Sequence, residues 1–523
     1  MGRISTNISS LIAQHNLKRT QESLDTRLER LSTGLRINRG ADDPAGLIVS
    51  ERLRTELGGI NQGIDNAERA SSVISTAEGA LTEVSDLLNS IKALVVEAAN
   101  SGAISLEEKK ANQLQIDSAI NSINRISNTA SFAGLKLLDG SLDYITSGIN
   151  TANIAQTKLN AVSFGTRTQV PIDVQVIGSA QVGAIYLSTN TSFAGGPGAG
   201  KLPSAATLEV QGPLGVQVFN FASGISIDDV VAAINSRTDN TGIVAARVNG
   251  ANPAGLTSGI RISTQGFGSD SFVSVRRLGG PAASFVQTFA IANNAAPPAS
   301  GFPAPGGLVA TQRDAGRDVT AIVNGAVATG RGLGVSVRTE ALDLELSLTQ
   351  SFAQTVNGAV SRFTVTGGGA LYQLGPTVNS AQQANIAIGS ISDSRLGGTL
   401  IVPTGGGSPV LNYLNSLKSG GANDLFSGKF ANASQVLSSA VDEVAVLRGK
   451  LGAFERNTLQ TNVRSLQSAL ENVTSASSQI RDADFAAETS ALTRSQVLNS
   501  AGINVLSLAN QQVQQVLQLL QGR

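Results

Sequence analysis

One apolar stripe constrains this chain more than any other feature. Leu53, Leu57, Ile60, Ile64, Ala67, Ile74, Ala77, Leu81, Val84, Leu88, Ile91, Val95 and Ala98 keep three-four spacing, with one phase slip near Ile74. That spacing predicts a single helix running almost to Asn100. At 1.5 Å per residue it is roughly 80 Å long, well beyond an ordinary globular helix. A helix of that length with one apolar face needs a partner of similar length.

Its neighbours are marked by stop and start signals. Leu17, Leu24, Leu28, Leu31 and Leu35 repeat at heptad-like spacing around Arg27, Glu29 and Arg30, which predicts a first helix. Gly34 is placed to end it, because a glycine accepts the left-handed backbone after a last turn. A polar connector, Arg36 to Asp43, precedes Pro44, the order of an N-cap followed by a first helical residue. Gly102 closes the long helix. Ser105 and Glu108 then form a capping box that opens a third helix carrying Ile116, Ile120, Ile123 and Ile126.

The C-terminal region, from about Ala433, mirrors this design. Leu437, Val441, Val444, Leu451 and Phe454, then Leu466, Leu470, Val473 and Ile480, form a second long stripe, and Leu506, Ala509, Val513, Val516 and Leu520 end the chain in the same way. No helix of comparable length stands in the middle to cover either end. The expectation is that the two ends pair with each other and with other copies, along a seam of Leu17, Leu24, Leu28, Leu31, Leu506, Val513, Val516 and Leu520.

Between the ends the period changes to two. Val170, Ile172, Val174 and Val176 alternate with Pro171, Asp173 and Gln175, and Leu208 with Val210, Val216 with Val218, and Val335 with Val337 do likewise. Gly195–Gly200, Ala296–Pro298 and Gly301–Gly307 read as turns or exposed loops. A short helix, Ile227 to Asn235, follows a Ser226-x-x-Asp229 cap. The middle, 165–370, is expected to hold one or two small β-rich domains, making the whole an α+β multidomain chain: a long antiparallel helical coiled coil or bundle from both termini with β-rich outer domains inserted.

Composition removes most competing functions. The 523 residues include no Cys and one His, His15, so disulfides, thiol catalysis and multi-histidine metal centres are excluded. Lys plus Arg, 38, equals Asp plus Glu, 38, which leaves no basic excess for a phosphate backbone. Nucleic acid is not expected as a partner, nor is any cofactor. The start, Met1 to Asn16, has no apolar h-region, and no stretch reaches the length of a membrane span. His15 sits on the first helix with no nucleophile motif and reads as a surface or subunit-contact residue. Asp42–Asp43 and Asp482/Asp484 lie at expected helix starts, where an acid stabilises unpaired N–H groups; capping is preferred to metal binding. The arginines around the connector, including Arg30, Arg36, Arg39 and Arg52, read either as a solvated face or as ion-pair candidates between subunits.

Both ends resemble bacterial flagellin, over roughly 1–140 and 430–523. The matching runs are Ile4–Asn7, Ser10–Gln14, Arg30–Asn38, Asp42–Gly46, Thr76–Leu81 and Phe132–Gly140, then Leu447–Phe454, Ile480–Thr489, Leu492–Arg494, Ala501–Gly502, Ala509–Gln511 and Val516–Leu520. Phe219 to Asn235 is similar to a small module of flagellins and hook-associated proteins. Leu371–Asn379 with Asn385–Gly389 looks like the β-hairpin that buttresses the family's helical layer, with 144–165 a weaker candidate for a second one.

The resemblance implies a non-enzymatic filament subunit for swimming motility. Residues 1–44 and 481–523 would form an inner coil (D0), 45–164 and 365–480 the two legs of a helical D1 domain, and 165–364 the outer domains. It further implies polymerisation with itself, contact with an export chaperone and with hook-associated and cap proteins, and extracellular location after export of an unfolded chain without a cleaved signal peptide. The isolated ends are implied to be disordered until they polymerise. Relatives are bound by an innate receptor through D1; Leu94 fits that pattern, but Ser90 stands where Arg is typical and Gln115 where Glu is typical, so weak recognition is expected. A hook-filament junction protein and a flagellin-like surface adhesin are the alternative readings. The strong run from Ile480 to Arg494 favours the filament subunit over the junction protein, and surface adhesion by the outer domains stays open as a secondary role.

Overall fold

The computed structural model describes residues 7–522 apart from 101, 166, 189–199, 203, 250–257, 281–286, 292–307, 340 and 404–406. The turns expected at Gly195–Gly200 (Gly200 itself aside), Ala296–Pro298 and Gly301–Gly307 lie outside the described residues. In chain order the described helices are α1 (Ile8–Thr33), α2 (Pro44–Ala99), α3 (Leu106–Thr129), α4 (Ile227–Asn235), α5 (Thr238–Thr241), α6 (Gln350–Gln354), α7 (Phe430–Phe454), α8 (Gln460–Arg481) and α9 (Phe485–Gln521).

The helix ends follow from local chemistry. Asn7 caps α1 by accepting from the Ser10 N–H, and α1 ends where Gly34 turns left-handed at φ 73°. The Asp43 carboxylate accepts from Gly46 N at 2.9 Å across the first turn of α2. Ser105 and Glu108 close a reciprocal capping box on α3, and Ser226 caps α4. A wider π turn, Glu455–Leu459, joins α7 to α8.

The chain divides into two compact units. The first comprises Met1–Arg69, Gln373–Gln382 and Asn457–Arg523. Within it a short loop wedges between α2 and α8: Leu374 is buried, its carbonyl accepts from Asn462 Nδ2 at 2.8 Å, and Asn66 Nδ2 reaches the Gln373 carbonyl at 3.2 Å. Gly59 is required on α2 there, since a side chain would meet Pro376 at 2.8 Å.

The second unit comprises Ala70–Tyr372 and Gln383–Arg456. Its helical part buries Ile74, Leu81, Val84, Leu88, Ile91 and Val95 of α2 with Ile116, Ile120 and Ile123 of α3 and Val436, Leu437, Ala440 and Val444 of α7. The buried Gln113 side chain is satisfied at both ends, donating to the Leu417 carbonyl and accepting from Leu425 N, each at 2.9 Å. Ser105–Glu108, Ser226–Asp229 and the three-four stripe therefore delimit the elements they predict.

Two β cores follow. In the first, eight antiparallel strands lie in the order Tyr144–Ser147, Ser361–Gly368, Val170–Gly178, Thr320–Val323, Ala326–Arg331, Gly334–Arg338, Leu342–Leu348 and Ile154–Val162. The two edge strands are neighbours in sequence. Eight strands laid flat span roughly 34 Å, and the short link 148–153 cannot cover that distance, so the sheet rolls until its edges meet. The Tyr144 hydroxyl closes the roll by accepting from Val162 N at 3.1 Å. Residues 144–162 thus belong to this sheet, ahead of the change of period at 165, and they are not the hairpin expected at 144–165. The tight hairpin in that region is Ser131–Phe132 with Leu135–Lys136.

In the second β core a five-stranded and a four-stranded sheet share one interior with α4, filled by Ile185, Ile260 and Ile262, Leu208, Val210 and Val275, and Ile227, Val230 and Ile234. The strand Val216–Phe221 has the expected period but the opposite phase: Val216 and Val218 are exposed, and Phe219 and Phe221 are buried. The larger rings, stacked with centroids 6.0 Å apart, win the inner face. Between the two β cores an isolated antiparallel bridge ties the crossing segments together, Gln181 and Arg317 exchanging two backbone hydrogen bonds of 2.9 Å.

Candidate polymerisation interface

In the first unit α1 and α9 pack antiparallel in one register. Asn7 Nδ2 donates to the Ala509 carbonyl at 3.0 Å and Ser10 Oγ to Asn510 Oδ1 at 2.8 Å. Further along, Leu17 lies against Gly502, and Arg27 against Glu488. Beyond the helix ends Ala483 N donates to the Gly34 carbonyl at 2.9 Å, and Arg36 N to the Arg481 carbonyl at 2.7 Å. Partners descend along α9 as they ascend along α1. Small or polar residues line the closest approach, with Ser10, Ala13, Ser495 and Ala509 buried, and a side chain at Gly502 would sit 3.2 Å from Leu17 Cδ1.

One charged cluster locks the register. Arg27 Nη1 donates to both carboxylate oxygens of Glu488 at 2.8 Å, and Arg30 Nη1 adds a third bond at 3.2 Å. Burial pushes the Glu488 carboxyl up, but the bonds and charges of Arg27 and Arg30 outweigh it and hold the group below the usual carboxylate range.

The connector between α1 and α2 is tied down. Leu35 and Asp482 form an antiparallel bridge, Ile37 is buried, and the Asp42 carboxylate accepts from Asn38 N and Arg39 N. Those two bonds hold the Asp42 carboxyl below its ordinary range. Asp484 caps α9 by accepting from Ala486 N and Ala487 N. Asp482 stands elsewhere than the sequence reading placed it: it ends α8, with its carboxylate on Ser478 Oγ at 2.6 Å.

The seam candidates separate. Leu17, Leu24, Leu31 and Leu506 are half-buried, whereas Leu28 is 46% exposed. The side chains of Val513, Val516 and Leu520 lie outside the described residues. A second set of apolar side chains, the outward row, which heptad reasoning missed, faces solvent over a broad arc of the two helices: Ile8, Leu11 and Ile12 on α1, and Phe485, Val497, Leu498, Ile503, Val505 and Leu508 on α9. Its only sequence signal is that both helices carry more apolar residues than one stripe needs.

The arginines are largely engaged within the chain. Arg30 binds Glu488, Arg39 pairs with Glu29 at 3.0 Å, and Arg36 Nη2 donates to the Ile480 carbonyl at 2.6 Å. Arg52 is exposed on α2, and no ion pair links it to another described residue. His15 is exposed on α1. In the second unit Ser90 and Gln115 are exposed and Leu94 is half-buried. Among the described residues no group of three His, Asp or Glu side chains stands where it could hold a metal ion, and no helix is long and apolar enough to cross a membrane.

Paired terminal helices with a β-rich middle between them in sequence define a multidomain α+β chain built on its two ends. Residues 4–143 match the bacterial flagellin N-terminal helical region and 434–520 the bacterial flagellin C-terminal helical region. A flagellin of Salmonella typhimurium is 28% identical over 539 aligned residues, covering 99% of both chains. Flagellin E of Vibrio cholerae is 43% identical over 137 residues, covering 26% of this chain and 36% of its own. Among solved structures, flagellar hook associated protein-3 from Legionella pneumophila aligns at 11% identity over 82% of this chain and 98% of its own, with a TM-score of 0.29, too low to bear on the fold. This chain belongs to the bacterial flagellin family. It is a structural subunit of the flagellar filament, which is an extracellular polymer.

Proposed function

We propose that the terminal helices polymerise this chain by burying the outward row of α1 and α9 against other copies. The observation that carries the reading is that row itself, which α1 and α9 leave uncovered while their other faces meet each other. So many exposed apolar side chains on one helix pair fit an interaction site. D0 then comprises 1–44 and 481–523, the D1 legs run inward from 45 and from 480, and the outer part takes in the whole rolled sheet, from Tyr144 to Gly368. Within the seam, Leu17 and Leu506 hold the pair together and Leu28 turns toward neighbouring copies.

The same row gives an export chaperone something to cover before assembly, and hook-associated and cap proteins with terminal helices of this kind a surface to join. The chain carries no catalytic role. Recognition by the innate receptor is weak, because Ser90 and Gln115 supply no charged anchor; a reporter-cell response at the potency of a standard flagellin would overturn that part.

The test is truncation. Chains lacking 1–40 or 490–523 should keep the circular dichroism of their β-rich middle and fail to form filaments when seeded. Filaments of normal appearance from either truncation would refute the mechanism.

A further inference from the structure

The sequence carries three Asn-Gly pairs, at Asn249, Asn324 and Asn357. Asn-Gly is the pair most open to intramolecular attack, because glycine places no side chain beside its own N–H. The fold treats two of these pairs in opposite ways, while the Asn249 side chain lies outside the described residues.

Asn324 is held. It sits with Gly325 at the two-residue turn between Thr320–Val323 and Ala326–Arg331, both at positive φ, the tight-hairpin arrangement this pair favours. Its Oδ1 accepts from Asp173 N at 2.8 Å, and its Nδ2 donates to the Pro171 carbonyl at 3.1 Å. The amide carbon cannot swing onto the Gly325 nitrogen unless both bonds open.

Asn357 is free to react. It lies in the exposed turn between α6 and the strand Ser361–Gly368, at φ 54°. Its backbone is anchored by its own N–H on the Val176 carbonyl at 2.9 Å, and its side chain makes no hydrogen bond to a described residue. The anchor holds the turn in place and leaves the amide to move against the following nitrogen.

We propose that Asn357 is a site of spontaneous deamidation and isoaspartate formation. The Gly358 nitrogen, having lost its proton to solvent base, attacks Asn357 Cγ. A C–N bond forms, the Cγ–Nδ2 bond breaks, and ammonia leaves a five-membered succinimide. Water then opens the ring at either carbonyl. Opening at Cγ regenerates the ordinary backbone as Asp; opening at the backbone carbonyl routes the chain through the side chain as isoaspartate. The net exchange is one water for one ammonia, with no redox partner, and it adds a negative charge to the exposed turn ahead of Ser361–Gly368.

Purified full-length protein, incubated at mildly alkaline pH and mapped by peptide mass spectrometry, tests this. The amide-to-acid mass change should accumulate at Asn357 at least about tenfold faster than at Asn324, the factor that corresponds to about 1.4 kcal/mol of local opening. Isoaspartate should be found at 357 by enzymatic carboxyl methylation. Gly358→Ala should slow the change at 357 and leave 324 as it was. In urea the two sites should converge, which shows that the fold makes the difference. Equal rates in the native protein, or an unmodified Asn357 under conditions that convert the urea-unfolded chain, would overturn the proposal.

Discussion

Arg27 of α1 and Glu488 of α9, 461 positions apart in sequence, are joined by two hydrogen bonds of 2.8 Å from one guanidinium nitrogen. This pair fixes which turn of one terminal helix faces which turn of the other, a choice that the small residues around Ser10 and Ala509 leave loose.

The pair makes the coil sensitive to acid. The native Glu488 carboxyl lies below its usual range, so its stabilisation is complete above the unfolded value near pH 4.3 and is lost as pH falls through the lower native value. Glu488→Gln should weaken filaments at neutral pH by about 1–2 kcal/mol per subunit, discounted because Arg27 is partly exposed. It should also flatten the acid branch of depolymerisation, followed by sedimentation. An unchanged acid branch would remove Glu488 from the account.

Gly502 admits Leu17. Gly502→Val adds a Cβ, which would sit 3.2 Å from Leu17 Cδ1, and two methyl groups beyond it. The expected loss is about 1–3 kcal/mol of pairing, read as a lower filament depolymerisation temperature, with partial rescue by Leu17→Ala.

The outward row should matter only to assembly. Val497→Asp or Ile503→Asp places a charge where more than half the side chain meets solvent. Far-ultraviolet circular dichroism of the monomer should not change, and seeded growth should stop. Growth at the parental rate would show that this row stays exposed in the polymer.

Tyr144 closes the rolled sheet. Tyr144→Phe leaves the buried Val162 N–H without its acceptor, and an unsatisfied buried donor costs about 1–3 kcal/mol. Calorimetry of the monomer should show the β-rich transition at a lower temperature and the helical signal little altered.

How much of this was legible in the sequence depends on range. The length of α2 and the boxes at Ser105–Glu108 and Ser226–Asp229 could be read because periodicity and capping act over a few residues. The phase of Val216–Phe221 could not, since alternation places valines and phenylalanines on opposite faces without saying which face is inner. The stretch 144–165 reads as a hairpin, but Tyr144–Ser147 and Ile154–Val162 pair elsewhere, because their ladder partners, Ser361–Gly368 and Leu342–Leu348, lie about two hundred residues away, beyond the reach of local pattern. The outward row on α1 and α9 escaped for a different reason: a heptad template selects one stripe, and a subunit that meets both a partner helix and other copies needs two.

The most direct measurement is electron microscopy of the full-length protein after seeding at high concentration. Long, uniform filaments whose growth consumes the monomer are predicted. A chain that stays monomeric, or that only caps the seeds without extending them, would contradict the account.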